Sequence, residues 1–308
     1  MTSKDHVVLG IDIGGQGIKA CLLDAAGEVL ERGRTPTPRG GQAMLDAAAN
    51  IGASLVKSHG RPLLAAGIGT AGVVQDGVIV AASSSFTGWV DTPVRTAMQE
   101  RFGVPVVVEN DVNAFLAGEA SLGAVRDHRD VLGIALGTGV GGALWLGGAL
   151  YGGPQAGAGE VGHMPGFGAD PCTCGQFGHL ETLAAGPAIE RRYRERGGAV
   201  VTGGAAEVAR RARAGDGAAV QVFADAGAGV ARAALMVAAM LDVVEVVIGG
   251  GLAGAADLLG PAIDEALAAE PPVSGRPIQA HFTALGSSAA AVGAAVLAST
   301  QAAAVTVA

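Results

Sequence analysis

Residues 7–23 read VVLGIDIGGQGIKACLL. An apolar run, Val7–Ile13, meets glycines at 14, 15 and 17, and a second apolar run, Ile18–Leu23, follows at once. Near-continuous aliphatic runs bounded by glycine are the mark of buried strands. The stretch therefore predicts a strand, a tight turn and a returning strand. Residues 131–146, VLGIALGTGVGGALWL, repeat the arrangement: a strand over Val131–Leu136, a glycine-rich turn over 137–142, and a returning strand over 143–146. Two copies of one opening predict two related α/β domains.

Working outward, residues 26–27 turn into a third strand near Val29. Helical character follows over 43–59, then a strand over 64–69 and a short apolar strand over 104–108. Residues 191–240 read as largely helical with a break around 197–204. A last buried strand spans 243–248, closed by three glycines, and a helix over 287–300 ends the pattern. The domain boundaries expected are 1–110 plus 288–308 for the first domain and 111–287 for the second.

With 308 residues, 50% hydrophobic and 16% charged, the chain has the composition of a well-packed globular protein. A net charge of −8 argues against a broad nucleic-acid surface. No leading stretch resembles a signal peptide. The most apolar helical candidate, 226–241, reads as too short to span a bilayer and carries Arg232. Three cysteines suit a reducing compartment better than a disulfide framework. A cytoplasmic protein with no membrane partner is expected.

Three glycine turns, each after a buried strand, shift the expectation toward nucleotide binding, because a turn without side chains lets backbone N–H groups approach a phosphate. A single such turn would be read as a plain hairpin. Gly249-x-Gly251-x-x-Gly254 fits the dinucleotide pattern, but no acidic residue follows at the spacing that motif needs. G-x-x-x-x-G-K-[ST] is absent. In VVVENDVNAFLAGEA, 106–120, a buried strand runs out into Glu109, Asn110 and Asp111, where α/β folds build their sites. Capping of the next helix by Asp111 is the competing reading.

GIDIGGQGIKACLLD, ENDVNAFLAGE, ALGTGVGGALWLGGALYGG, GEVGHM, CTCGQFGHLE and VVIGGGLA, in this order, resemble the ROK family of bacterial sugar kinases and regulators. The resemblance runs from about residue 9 to 293. It implies an α/β fold of the actin-like ATPase class: two related ribonuclease-H-like domains around a cleft holding ATP and sugar. It further implies ATP-dependent phosphorylation of a hexose hydroxyl with Mg²⁺, most often the 6-hydroxyl of glucose, and a homodimer or higher homo-oligomer. Asp111 matches the family's catalytic base and Asp12 the aspartate near Mg²⁺ and phosphate. The turn at Gly14, Gly15 and Gln16, with Lys19, and the turn at Gly137, Thr138 and Gly139 match its phosphate-binding segments. Gly249, Gly250 and Gly251 would lie against adenosine. Asn110, Asp111, Glu160, His163 and Glu181 match sugar contacts.

The family pattern also carries a histidine and three cysteines in a zinc loop. Here His163, Cys172 and Cys174 keep their places and His179 stands where the last cysteine belongs. Zn²⁺ takes four N/S ligands, so a structural Cys₂His₂ site is expected, with His163 serving zinc through one ring nitrogen and sugar through the other. A metal-free loop is the competing reading. The loop has little apolar content, so the metal is expected to order it. The glycine turns lie elsewhere in sequence, so metal loss is expected to harm sugar binding more than nucleotide binding.

Two departures bear on substrate. Gln16 replaces the usual threonine of the first turn, and Ser85 replaces the asparagine of the sugar-binding N-x-x-G-W, read here as SFTGW. The shorter Ser85 leaves room for a substituent, which makes an aminosugar or N-acetylhexosamine the alternative to glucose. A non-catalytic sugar-binding regulator is expected less. The family's repressors carry an added N-terminal helix-turn-helix; the first turn begins within about ten residues of Met1, so no such module is expected. A polyphosphate donor would want a basic track, and no Lys/Arg cluster is apparent near the glycine turns.

Overall fold

The computed structural model describes residues 6–83 and 86–307, the side chains of 305–307 excepted. In chain order the elements are β1 (Val7–Ile13), β2 (Ile18–Leu23), β3 (Val29–Thr35), α1 (Gly41–His59), β4 (Leu63–Thr70), β5 (Val73–Gln75), β6 (Val78–Ala81), α2 (Val94–Phe102), β7 (Val106–Asn110) and α3 (Asp111–Leu122). They continue with β8 (Val131–Leu136), β9 (Val140–Leu146), β10 (Ala149–Leu150), α4 (Glu181–Ala184), α5 (Gly186–Glu195), α6 (Gly204–Arg213), α7 (Gly217–Leu241), β11 (Glu245–Gly249), α8 (Ala256–Ala269), β12 (Gln279–Phe282) and α9 (Ala289–Val307).

The chain divides into two units. The first holds residues 1–127, 152–157 and 287–308; the second holds 128–151 and 158–286. The first contains a sheet of order β3-β2-β1-β4-β7 and the second a sheet of order β10-β9-β8-β11-β12. In each, three antiparallel strands are followed by two parallel ones, with the opening strand at the centre. That shared order is the ribonuclease-H-type repeat, and the pair of units has the actin-like ATPase fold.

In the first unit every residue of β1 is buried, as expected of a strand flanked on both sides. Helix α9 packs on β1, β4 and α3. Glycine permits this close approach: a Cβ on Gly67 of β4 would strike the carbonyl oxygen of Ala294, and one on Gly293 would strike that of Ala114. Packing on α9 also explains why α3 belongs with the first unit, which runs to residue 127, although the sequence boundary at 110 placed α3 in the second. Strand β7 ends at Asn110 rather than at 108, because Glu109 and Asn110 pair in parallel with Gly69 and Thr70 of β4.

The second core is built from β8, β11 and the helices α5 to α8. Helix α7 is 25 residues long, nine longer at its N-terminus than the apolar run suggested. Asp216 starts it by accepting from the amides of Ala218 and Ala219. By length and composition it passes as a membrane span, contrary to the sequence expectation. In the fold Val222, Phe223, Val230 and Ala234 bury its apolar face in the core, while Asp225 pairs with Arg192 and Arg196.

Candidate functional site

In the first unit, Asp12 near the end of β1 pairs across the ladder with Lys19 of β2. Lys19 Nζ stands 3.7 Å from Asp12 Oδ2. Asp12 is only 7% exposed. Burial pushes its carboxyl up to about 7, the nearby Asp111 adds to the effect, and Lys19 opposes it. One partly exposed lysine does not offset the removal of the carboxylate from water.

The turn after β1 is closed by Gly14 N–H donating to Gly17 O at 3.2 Å, and Gly15 and Gln16 are exposed. Thr37 Oγ1 donates to Gly14 O at 2.5 Å. Gly15, Thr37, Arg39, Met44, Phe86 and Thr87 line a cavity of about 440 Å³. Lys19 pairs with Arg34 of β3, and the Arg34 guanidinium lies over Gly17. Basic groups therefore do surround this turn, which the sequence reading missed. Arg34 and Arg39 lie 17 and 22 residues beyond Gly17 in sequence, and the β2–β3 hairpin folds them back. Of the SFTGW stretch, Ser85 lies outside the described residues. Trp89 is fully buried and donates from Nε1 to Thr70 Oγ1 at 3.1 Å.

Asp111 is the first residue of α3. The cap of that helix is Asn110, whose side chain accepts from Val112 N at 2.8 Å and Asn113 N at 3.2 Å. Asn110 Nδ2 donates to Gly72 O at 3.0 Å. The capping role weighed for Asp111 thus falls to its neighbour, although Asp111 Oδ1 also accepts from Val112 N at 3.0 Å. Half-buried Asn110, expected at a sugar, spends its oxygen on the helix start. Glu109 supports both by accepting from Asn110 N and Asn113 Nδ2.

In the second unit, the turns after β8 and β11 sit at the carboxyl ends of adjacent parallel strands, since Gly249 pairs with Ala135. Gly137 N–H donates to Gly139 O at 2.9 Å, and Thr138 is exposed. Gly250 adopts φ of 83°, and a Cβ there would strike Leu136 O, so only glycine suits this position. Gly251 opens a 3-10 turn over Gly251–Ala255.

Residues 159–181 gather the remaining candidates. His163 ends a 3-10 turn over Val161–His163. His163 Nδ1 and His179 Nδ1 stand 3.3 Å apart. Cys172 Sγ is 3.8 Å from His163 Nδ1 and Cys174 Sγ is 3.4 Å from His179 Nδ1. The four donor atoms all lie within 4.8 Å of one another. A tetrahedral zinc with bonds of about 2.0–2.1 Å to nitrogen and about 2.3 Å to sulfur has edges of about 3.3 Å between nitrogens and about 3.6 Å between nitrogen and sulfur. The donor set fits that ion. His179 is 3% exposed, placed in the group rather than in solvent.

The loop has anchors of its own as well. Asp170 accepts from Arg191 at 2.8 Å, Arg191 also donates to Thr182 O, and buried Phe167 lies under the Arg232 guanidinium. Glu181 Oε1 accepts from Thr173 Oγ1 at 2.9 Å and Oε2 from Val140 N at 3.0 Å. Thr173 carried no signal in sequence beyond its place between two cysteines. Local desolvation holds the Glu160 carboxyl above the ordinary carboxylate range; His163 opposes this and Glu181 adds to it.

A family model described as ROK family matches residues 8–301. The chain is 34% identical to a glucokinase of Streptomyces coelicolor over 278 residues, 82% of this chain and 84% of that protein. It is 31% identical to an N-acetylmannosamine kinase of Escherichia coli over 271 residues, 85% of this chain and 89% of that one. The crystal structure of a ROK family glucokinase from Streptomyces griseus in complex with glucose and AMPPNP matches with a TM-score of 0.83 at 31% identity, covering 96% of this chain and 99% of that one.

Proposed function

This chain belongs to the ROK family, and from that premise we propose that it is an ATP-dependent hexose kinase acting on the 6-hydroxyl of glucose. Similarity over most of its length to kinases of two different sugars supports the sugar-kinase class. The observation that carries the catalytic reading is Asp111. It follows β7 directly, Asn110 makes the two-amide cap of α3 while Asp111 shares only Val112 N, and Asp111 is one cause of the raised Asp12 carboxyl.

Asp111 is the group we assign to accept the proton of the attacking hydroxyl, a contribution of about 10²–10⁴-fold for a general base. When bound, ATP supplies the phosphoryl group and Mg²⁺ neutralises charge on it. Asp12 would hold that cation's side of the site, and ionised Asp12 is the form that does so. Backbone N–H groups of the turns at Gly14–Gln16 and Gly137–Gly139 would bind phosphate, with Lys19 and the Thr138 hydroxyl. Gly249–Gly251 would lie against adenosine. Glu160, His163, Glu181 and Asn110 would accept from or donate to sugar hydroxyls. His163 uses Nδ1 in the His/Cys group, which leaves Nε2 for the sugar. His163, Cys172, Cys174 and His179 would hold a structural zinc. A cytoplasmic homo-oligomer is the setting we assign.

A second acceptor, an aminosugar such as N-acetylmannosamine, is favoured by Ser85 in place of asparagine and by the relative named for that activity. A second donor, polyphosphate, gains support from Arg34 and Arg39 beside the first turn. Sugar-phosphate formation measured across hexoses and aminosugars, with ATP and again with polyphosphate as donor, decides among them. The highest kcat/KM with glucose and ATP is expected. No sugar phosphate from any sugar with either donor would sink the kinase reading.

A further inference from the structure

At the other end of the second sheet lies a group that the proposed reaction does not use. His128 precedes β8, Glu245 opens β11, and His281 is the third residue of β12. These three strands are adjacent, with Glu245 opposite Val131 and Gln279. Side chains of a parallel pair in register share a face, and that face recurs every second residue. Glu245 and His281, diagonal across the β11–β12 ladder, therefore project to the same side. His281 Nε2 is 2.9 Å from Glu245 Oε2, and His128 Nδ1 is 3.5 Å from Glu245 Oε1. The imidazole centroids are 5.9 Å apart. One ligand atom from each residue falls within 4.8 Å of the others.

We infer that His128, Glu245 and His281 form a second, exchangeable site for a divalent first-row metal ion of the zinc class. Two imidazoles and a carboxylate make a three-ligand set that leaves positions open to water. Metal bonds of about 2.0–2.2 Å give ligand–ligand edges of about 2.8–3.6 Å, from right-angled to tetrahedral geometry, and both separations fall in that range. The carboxylate has only 15% of its side chain exposed, while the histidines keep 37% and 34%. The ligands are thus held on one side and reachable from the other. Among the described residues no lysine or arginine pairs with Glu245, so a metal ion would provide the positive charge that this half-buried carboxylate otherwise takes only from protonated histidine. Nearby Arg129 and Asp130 are engaged elsewhere, with Gly147 O and Gly147 N. The site sits at the start of β8, so the strand's six residues separate it from the glycine turn by ~20 Å at ~3.3 Å per residue. Bound metal would tie edge strand β12 to the centre of its sheet. Three ligands against four make it the weaker of the two His-containing sites.

The full-length protein titrated with Co²⁺ and Zn²⁺ at about pH 8, where histidine ligates in its neutral form, tests this. Thiolate-to-cobalt charge transfer marks filling of the Cys172/Cys174 group, and a further equivalent adding only d–d absorption marks the new site. A second equivalent is expected in the wild type. His128→Gln, Glu245→Gln and His281→Gln should each weaken it at least ~10-fold without changing the thiolate band. Cys172→Ser/Cys174→Ser should abolish the band and keep the second equivalent. Zn²⁺ added beyond the equivalent that fills the Cys172/Cys174 group should raise the Tm of the wild type further and not that of His128→Gln/His281→Gln. Saturation at one equivalent in the wild type, or an unchanged second equivalent in the double histidine variant, overturns the proposal and leaves an ordinary His–Glu ion pair.

Discussion

Glu181 Oε2 accepts the amide hydrogen of Val140 at 3.0 Å, joining the His/Cys loop to the residue that follows Gly139. Through its other oxygen the same carboxylate receives Thr173, between the two cysteines. One side chain therefore couples the loop to the glycine turn after β8, although the two lie about forty residues apart.

Glu181→Ala should raise KM for ATP as well as for the sugar. Leaving the N–H of buried Val140 unpaired costs roughly 1–3 kcal/mol, so a rise of roughly 5-fold or more on each KM is expected from steady-state kinetics. Metal removal by a chelator should weaken both ligands for the same reason. A KM for ATP that does not move would detach the loop from the nucleotide and restore the separation the sequence suggested.

Asp111→Asn should fold and bind sugar nearly as the wild type does and lose at least ~10² in kcat. Asn110 holds the cap of α3, so the substitution leaves the helix start in place. Retention of more than about half the activity would reduce Asp111 to a structural residue.

His179→Ala should strip the tightly held zinc, which in the dialysed wild type should be about one equivalent per chain. His179→Cys should retain it, because sulfur replaces nitrogen in the same tetrahedron. Elemental analysis after dialysis reads both. Because Asp170 and Phe167 also anchor the loop, proteolysis of the zinc-free protein should concentrate around 171–178 rather than across the whole of 159–181. Full occupancy in His179→Ala would remove His179 from the ligand set.

Asp12 should make the metal-free protein lose stability as pH rises. Its carboxyl is raised from 3.8 to about 7 by burial, then by Asp111, against Lys19. Between those two values the folded chain keeps a proton that the unfolded chain has released. Proton uptake therefore favours folding on the acid side, and stability falls from about pH 4 to about pH 7, then levels. Asp12→Asn lacks this titration. Its stability relative to wild type, from urea unfolding in metal-free and nucleotide-free buffer, should climb up to about pH 7 and stay flat above it. A difference independent of pH would mean that Asp12 is ionised throughout.

Much of this architecture was legible along the chain. Strands β1, β2 and β8 lie where their apolar runs and glycine borders predict, because burial on both faces demands continuous aliphatic residues and a tight turn demands glycine. The His/Cys loop was equally plain, since its four candidate ligands fall within seventeen positions. What sequence could not carry were relations between distant residues. Residues 109–110 of β7 are strand only because β4 offers them a parallel partner. The helical stretch expected up to residue 240 breaks a second time at 214–216, between α6 and α7, where Asp216 caps α7 and the second core covers its face. Arg34 reaches the first glycine turn because β3 pairs with β2. His128, Glu245 and His281, spread over more than one hundred and fifty positions, meet only because three strands of one sheet set them side by side. Local patterns report what a residue needs from its neighbours in the chain; hydrogen-bonded pairing and close packing decide which distant residues become its neighbours in space.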